Sequence, residues 1–147
     1  DLFAGSGALS FEALSRGAAE ITMIEASTIA AKQLLSAAET LQTKHCSIIN
    51  KKAEVWLNQN TCQGKYSLVF LDPPFAAKLL PALLDQLEKT KCLSEGALIY
   101  IESDCALPDN IIPIEWSLHR QKKAGKVFYY LFKRAIKNGH EQAEITR

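Results

Sequence analysis

Three short stretches of the chain combine residue types that do chemistry when they are brought together. The first is Asp1-Leu2-Phe3-Ala4-Gly5-Ser6-Gly7, an acid followed by a glycine-rich loop. Glycines let the backbone turn tightly and let a ligand approach it with no Cβ in the way. The dinucleotide fingerprint GxGxxG is not met, because Ser10 stands where its third glycine belongs. That departure, with the acid at Asp1, makes a nicotinamide cofactor the poorer reading of the loop. The second stretch is Glu25, at the end of a β-branched run. On its own it would pass for a solvated acid. Downstream of a glycine loop, its carboxylate can accept two hydrogen bonds from a ribose diol, as in nucleotide-binding α/β folds.

The third stretch is Asp72-Pro73-Pro74-Phe75, which ends the apolar run Leu68-Val69-Phe70-Leu71. Two prolines remove two backbone donors and fix two φ angles near −65°. The residue before each is pushed out of the helical region, so Asp72 is held extended. The carbonyls of Asp72 and Pro73 remain acceptors, and the Asp72 carboxylate adds another. A rigid corner of oxygens beside a flat ring suits a planar base with an exocyclic NH2, the amine gripped and the base stacked on Phe75. A stiff turn would explain an isolated Pro-Pro pair equally well. The position of this one, after a glycine loop and an acid on earlier strands, favours the amine pocket.

These residues need a scaffold that brings them to one edge, and the pattern supplies it. Residues 1–4 read as the last turn of a strand, 8–16 as a helix closed by Gly17, and 21–25 as a short strand. Ser27 or Thr28 can cap a helix running to about residue 41. A strand at 47–50, a short helix at 53–58 and a strand at 66–71 follow. Pro81 suits the first turn of a helix reaching about residue 89, and 97–102 reads as a further strand. Strands separated by helices imply an α/β fold, a mostly parallel sheet with helices on both faces. At the carboxyl end, 116–121 and 127–132 flank 122–126 as an antiparallel hairpin added to that sheet. In such sheets ligands bind beyond the carboxyl ends of the strands, where all three stretches fall. Residues 135–147 turn polar and are expected to form a tail on a domain spanning 1–134.

Composition narrows the function classes. A chain of 147 residues, 48% hydrophobic and 22% charged, is enough for one folded domain with one core. No apolar run approaches the roughly 18 to 20 residues that cross a bilayer. Cys46, Cys62, Cys92 and Cys105 form no CxxC pair, and His45, His119 and His140 stand apart. Reduced thiols, no metal site and a cytoplasmic location are therefore expected. The formal charge of +1 decides nothing about nucleic acid, but Arg120, Lys122, Lys123 and Lys126 cluster within the hairpin. Such a cluster fits either a solvated strand face or a nucleic-acid contact.

DLFAGSGALSFEALSRGA, Glu25 and LVFLDPPF together resemble the class I S-adenosylmethionine-dependent methyltransferases. More narrowly, they resemble the RsmD-type family, which methylates N2 of a guanine in small-subunit ribosomal RNA. The similarity continues through ALIYIES at 97–103 and WSLHRQKKAGKVFYYLF at 116–132, so it covers residues 1–134. It implies a Rossmann-like fold and S-adenosylmethionine as cofactor, leaving S-adenosylhomocysteine. Asp1, Gly5 and Gly7 would lie against the methionine portion, Glu25 would hold the ribose, and Ala26 would border the adenine. Lys52 stands where a side-chain acceptor for the adenine amino group is often found, so the Ala53 backbone N–H is expected to read that edge. Asp72, Pro73, Pro74 and Phe75 would form the target-amine pocket, with Arg120, Lys122, Lys123 and Lys126 on the RNA backbone. Ribosomal RNA, in small-subunit particles, is the implied partner; a monomer is the default expectation for the chain. Family members carry an arginine-rich segment before the first strand. This sequence opens inside the glycine motif, so that segment is expected to be missing from it. Two alternatives stay open on the residues: an N6-adenine methyltransferase acting on RNA or DNA, and a non-catalytic binding module of the same fold.

Overall fold

In the computed structural model, which describes residues 1–59 and 62–137, the leading residues already behave as a strand. The Asp1 nitrogen donates to the Thr22 carbonyl (2.9 Å), and the Asp1 carbonyl accepts from Ile24 N (2.8 Å). On the other side, Leu2 N donates to the Phe70 carbonyl (3.1 Å). Residues 1–4 are thus wedged between β1 (Ile21–Ile24) and β3 (Tyr66–Leu71). Outside them, β1 pairs in parallel with β2 (Cys46–Ile49), and β3 in parallel with β4 (Leu93–Ser103). The antiparallel hairpin β5 (Trp116–Ala124) and β6 (Val127–Arg134) closes the row, with β6 against β4. The strand order is therefore β2, β1, residues 1–4, β3, β4, β6, β5.

Each helix begins where its sequence lets it. Gly7, at φ 81°, precedes α1 (Ala8–Ser15). Ser27 caps α2 (Thr28–Thr40), its Oγ accepting from Ala30 N at 3.3 Å. α3 (Ala53–Gln59) is short, and α4 (Ala76–Lys89) buries Leu80, Leu83, Leu84 and Leu87, a stripe at helical spacing. Met23 and Ile24, adjacent on β1, point to opposite faces. Met23 packs with Leu34 of α2, whereas Ile24 joins the larger cluster containing Trp56 and Leu57 of α3 and the α4 leucines. Helices therefore cover both faces, as expected of this α/β class.

Three expectations are corrected. Pro81 lies inside α4, not in its first turn, because the helix starts directly after the Pro-Pro pair with Phe75 as its cap. Pro81 faces solvent, where its missing N–H leaves no buried carbonyl stranded. The hairpin turn is only Gly125-Lys126, with Gly125 at φ 60°. Lys122 and Lys123 consequently extend β5 and pair with Tyr129 and Phe128. The strand expected at 97–102 starts earlier, at Leu93, because Gly96 takes φ 68° and lets the ladder continue past an irregularity. Of the expected tail, residues 138–147 lie outside the described residues.

One polar knot closes the far end of the core. Glu88 of α4 accepts from Arg134 Nε (2.7 Å), Arg134 Nη2 (2.9 Å) and Trp116 Nε1 (2.6 Å), with the Arg134 and Glu88 side chains only 12% and 16% exposed. Burial by itself would raise the Glu88 pKa. The hydrogen bonds from Arg134 and Trp116 outweigh it and hold the carboxyl below the usual range. Arg134→Met should then leave the largely buried carboxylate without its counter-charge, held by Trp116 alone, and cost about 3 kcal/mol, lowering the thermal midpoint by roughly 10 °C. A group with a depressed folded pKa stabilises above its unfolded pKa and loses that contribution as pH falls through the folded value. Thermal melts across the acid range should show this loss in the unsubstituted protein and its absence in Arg134→Met.

Candidate active site at the carboxyl edge of the sheet

The glycine loop is held from below and from one side. Below, Asp1 Oδ2 accepts from Ser10 Oγ at 2.7 Å, and Oδ1 from Phe3 N at 3.3 Å. Ser10 is fully buried on α1, at the position where a dinucleotide-type loop carries glycine. From the side, Glu25 Oε2 accepts from Gly5 N and Glu25 Oε1 from Ser27 N, both at 2.8 Å. One carboxylate thus ties the loop after residues 1–4 to the loop after β1. Each of its oxygens keeps a second lone pair for a further donor. Asn50, at the end of β2, donates to the carbonyls of Glu25 and Ala26 (2.8 and 3.1 Å) and accepts from Thr28 Oγ1 (3.0 Å).

The two loop glycines serve different needs. A Cβ on Gly5 would meet nothing within 4 Å, but its φ of 53° is one that L side chains rarely adopt. Its backbone is therefore open to a ligand. At Gly7 a Cβ would sit 2.5 Å from Phe11 Cε2 and 2.7 Å from Leu34 Cδ2, so this glycine lets α1 and α2 close on the loop. Ala26 and Lys52 are exposed, and Ala53 is buried as the first residue of α3, where its N–H has no intrahelical carbonyl to bond.

One strand over, Asp72 emerges from the end of β3 with an exposed side chain, Pro73 is buried and Pro74 is exposed. Phe75 has φ 56° and ψ 53°, and the residue is 79% exposed. A left-handed backbone costs a non-glycine residue about 1 kcal/mol, and the exposed ring forgoes burial as well. Both penalties fall on one residue beside the acceptor corner, as strain at functional positions often does. Partial desolvation, and then the charge of Glu102, raise the Asp72 pKa.

Glu102 is the neighbour that sequence reasoning passed over. Leu71 pairs with Ile101, so Asp72 and Glu102 come next on adjacent strands. Tyr100 Oη donates to Glu102 Oε1 at 2.9 Å, and its ring meets Phe70 edge-on at a centroid distance of 6.0 Å. Burial, and then the hydrogen bond to Glu102, push the Tyr100 hydroxyl well above its ordinary pKa. Ser10 and Asn50 were also missed. Only the serine at the failed glycine position carried a sequence signal. Burial, and then Cys92, push the Cys62 thiol up to about 11, and burial raises that of Cys46, so neither is a ready nucleophile.

The basic cluster is divided by the pleat. Arg120 pairs with Leu131, and Lys122 with Tyr129, which itself pairs with Glu102. Arg120 and Lys122 therefore share the face of Tyr100 and Glu102. Lys123 pairs with Phe128 on the opposite face, its Nζ 4.8 Å from that ring centroid, and Lys126 occupies the turn.

Comparisons with known proteins bear on the family and the fold. A family model described as Conserved hypothetical protein 95 matches residues 1–133. The Escherichia coli protein named Ribosomal RNA small subunit methyltransferase D is 42% identical over 134 residues, which are 91% of this chain and 67% of the relative. A solved Escherichia coli structure superposes with a TM-score of 0.84 at 41% identity, covering 93% of this chain and 76% of that one. A Haemophilus influenzae structure gives a TM-score of 0.85 at 37% identity, with coverages of 92% and 77%.

A raised carboxyl pKa has a consequence for stability that can be measured. The protonated form of Asp72 is favoured in the folded state, so its contribution is present below the ordinary aspartate pKa and lost as pH rises through the folded value. Asp72→Asn should therefore melt higher than the unsubstituted protein at neutral pH. The difference should shrink as the pH is lowered through the ordinary aspartate range.

Proposed function

This chain belongs to the family described as Conserved hypothetical protein 95, and from that membership we propose that it transfers a methyl group from S-adenosylmethionine to the exocyclic N2 of a guanine in small-subunit ribosomal RNA. The observation that carries the proposal is the acceptor corner at Asp72, standing one strand from the glycine loop, with Leu2 N bonded to the Phe70 carbonyl between them. Residues 1–134 act as the catalytic domain, working as a monomer on RNA in the cytoplasm. Among the described residues no helix is long and apolar enough to cross a membrane.

The residues fit the cofactor. Gly5 presents bare backbone, Asp1 is pinned beneath the methionine end, and Gly7 closes the loop. Glu25, already oriented by two backbone N–H groups, keeps lone pairs for the two ribose hydroxyls. Ala26 borders the adenine, and the Ala53 N–H reads its edge. When bound, the cofactor supplies a methyl already activated by its sulfonium.

What the protein must add is alignment and the removal of water, because the lone pair of guanine N2 is delocalised into its ring. Asp72 and the Pro73 carbonyl accept from the amine and hold N2 in line. They also favour the positive charge that develops on nitrogen as the methyl arrives. A carboxylate is too weak a base to deprotonate a neutral amine, so Asp72 takes no proton before attack. The proton leaves afterwards, from a far more acidic methylated nitrogen, to the Asp72 carboxylate that already holds the amine. Phe75 stacks on the base, which must be turned out of its helix to reach the corner. Arg120 and Lys122 hold the RNA backbone on the same face, with Lys123 and Lys126 reaching phosphates around the hairpin.

Reaction with small-subunit particles, followed by nucleoside mass spectrometry, should yield N2-methylguanosine; N6-methyladenosine instead would overturn the proposal. Asp72→Ala should lower kcat by roughly a hundredfold or more, in the range of losing one positioned electrostatic group. Its affinity for S-adenosylmethionine by calorimetry should stay within a factor of about two. Glu25→Ala should show the reverse emphasis, with cofactor affinity falling roughly tenfold to a hundredfold.

A further inference from the structure

Asp72 has a second carboxylate beside it that the amine corner alone does not require. The parallel register of β3 and β4 makes Glu102 the cross-strand neighbour of Asp72, at the usual strand spacing of about 4.8 Å. Glu102 is half-buried, and among the described residues no lysine or arginine forms an ion pair with it. Among the described residues Tyr100 Oη donates to its Oε1, which leaves Oε2 for another donor. Two adjacent carboxylates with no cation between them repel each other, and a ligand presenting two adjacent N–H donors would relieve that repulsion.

Guanine presents such a pair on its Watson–Crick edge, N1–H beside the N2 amino group. Adenine presents an amino group beside N1, which is an acceptor and would face a carboxylate lone pair to lone pair. We infer that Glu102 is a specificity-determining residue, accepting the N1–H of the target guanine through Oε2 while Asp72 holds N2, with Tyr100 as the residue that positions it. The inference rests on the proposed guanine-N2 activity and deepens it. A corner of Asp72 and the prolines grips any exocyclic amine, whereas the second carboxylate selects the base that carries a donor next to that amine. A site built to hydrogen-bond a donor rejects the analogue lacking it far more strongly than an apolar pocket can.

The test uses small-subunit RNA ligated to carry either guanine or 2-aminopurine at the methylated nucleotide. 2-Aminopurine keeps the 2-amino group but has an acceptor at N1. The unsubstituted protein should prefer the guanine RNA in kcat/KM by at least about tenfold, a typical value for one hydrogen bond to a charged group. In Glu102→Gln that preference should fall toward one, because an amide can turn either its carbonyl or its NH2 to N1. Tyr100→Phe should reduce it partway. Cofactor affinity by calorimetry should be unchanged in both variants, which also reports that they are folded. Should Glu102→Gln lose cofactor binding, Glu102→Ala, which also lacks the carboxylate, replaces it under the same criterion. Should a variant methylate neither RNA, the ratio of its affinities for the two RNAs is measured instead. A preference, in rate or affinity, equal to that of the unsubstituted protein in Glu102→Gln would overturn the role given to Glu102 while leaving the activity standing. Failure of the unsubstituted protein to methylate the guanine RNA would overturn the proposed activity and this inference with it.

Discussion

Residues 1–4 are the wedge on which the architecture depends. Without the bonds that Asp1 gives to Thr22 and receives from Ile24, and the one Leu2 gives to Phe70, β1–β2 and β3–β4–β6–β5 would be two separate sheets. With them, parallel strands end along one edge, and the glycine loop, Glu25 and Asp72 become neighbours. A chain in this position can do this because its backbone donates to both neighbouring strands and accepts from β1, so buried main-chain groups find partners. The loop that follows is then free to leave the sheet at Gly5, where no Cβ stands in the way.

The molecule holds carboxylates in two contrasting ways. Glu88 is sunk in the core but answered by Arg134 and Trp116, so its charge is stabilised and it serves the fold. Asp72 lies at the open edge beside Glu102, where desolvation, and then the charge of Glu102, make it a poorer anion than it would be in water. A structure gains nothing from such an arrangement unless a ligand completes it. Glu25 falls between these cases: two backbone donors orient it without exhausting its lone pairs. Phe75 adds to the contrast, since its backbone conformation and its exposed ring are both unfavourable in the isolated protein.

Local signals in the chain proved sufficient for most of the elements, and they single out the residues proposed for the site. The glycines of DLFAGSG, the acid after the second strand and the proline pair of DPPF each act through φ, through missing donors or through residue chemistry. These are properties of a few neighbours along the chain. The alternation of strand and helix patterns likewise rests on periodicity within single segments, so the parallel sheet and the added hairpin were legible. The start of α4 was not, because Phe75 takes a left-handed conformation that no propensity favours for an aromatic residue, and tertiary packing overrides the preference of proline for a first turn.

What the amino-acid order determined by itself was therefore the set of elements, the loop that can cradle a ligand, and the corner that can grip an amine. Which residues complete that corner was decided only in three dimensions. Ser10 meets Asp1 because α1 folds back over residues 1–4, Glu102 meets Asp72 because β3 and β4 pair in one register and not another, and the pleat sends Lys122 and Lys123 to opposite faces. A shift of one residue in pairing would exchange the faces of a whole strand. Register is set by the sum of contacts across the sheet, and no short stretch of sequence contains it.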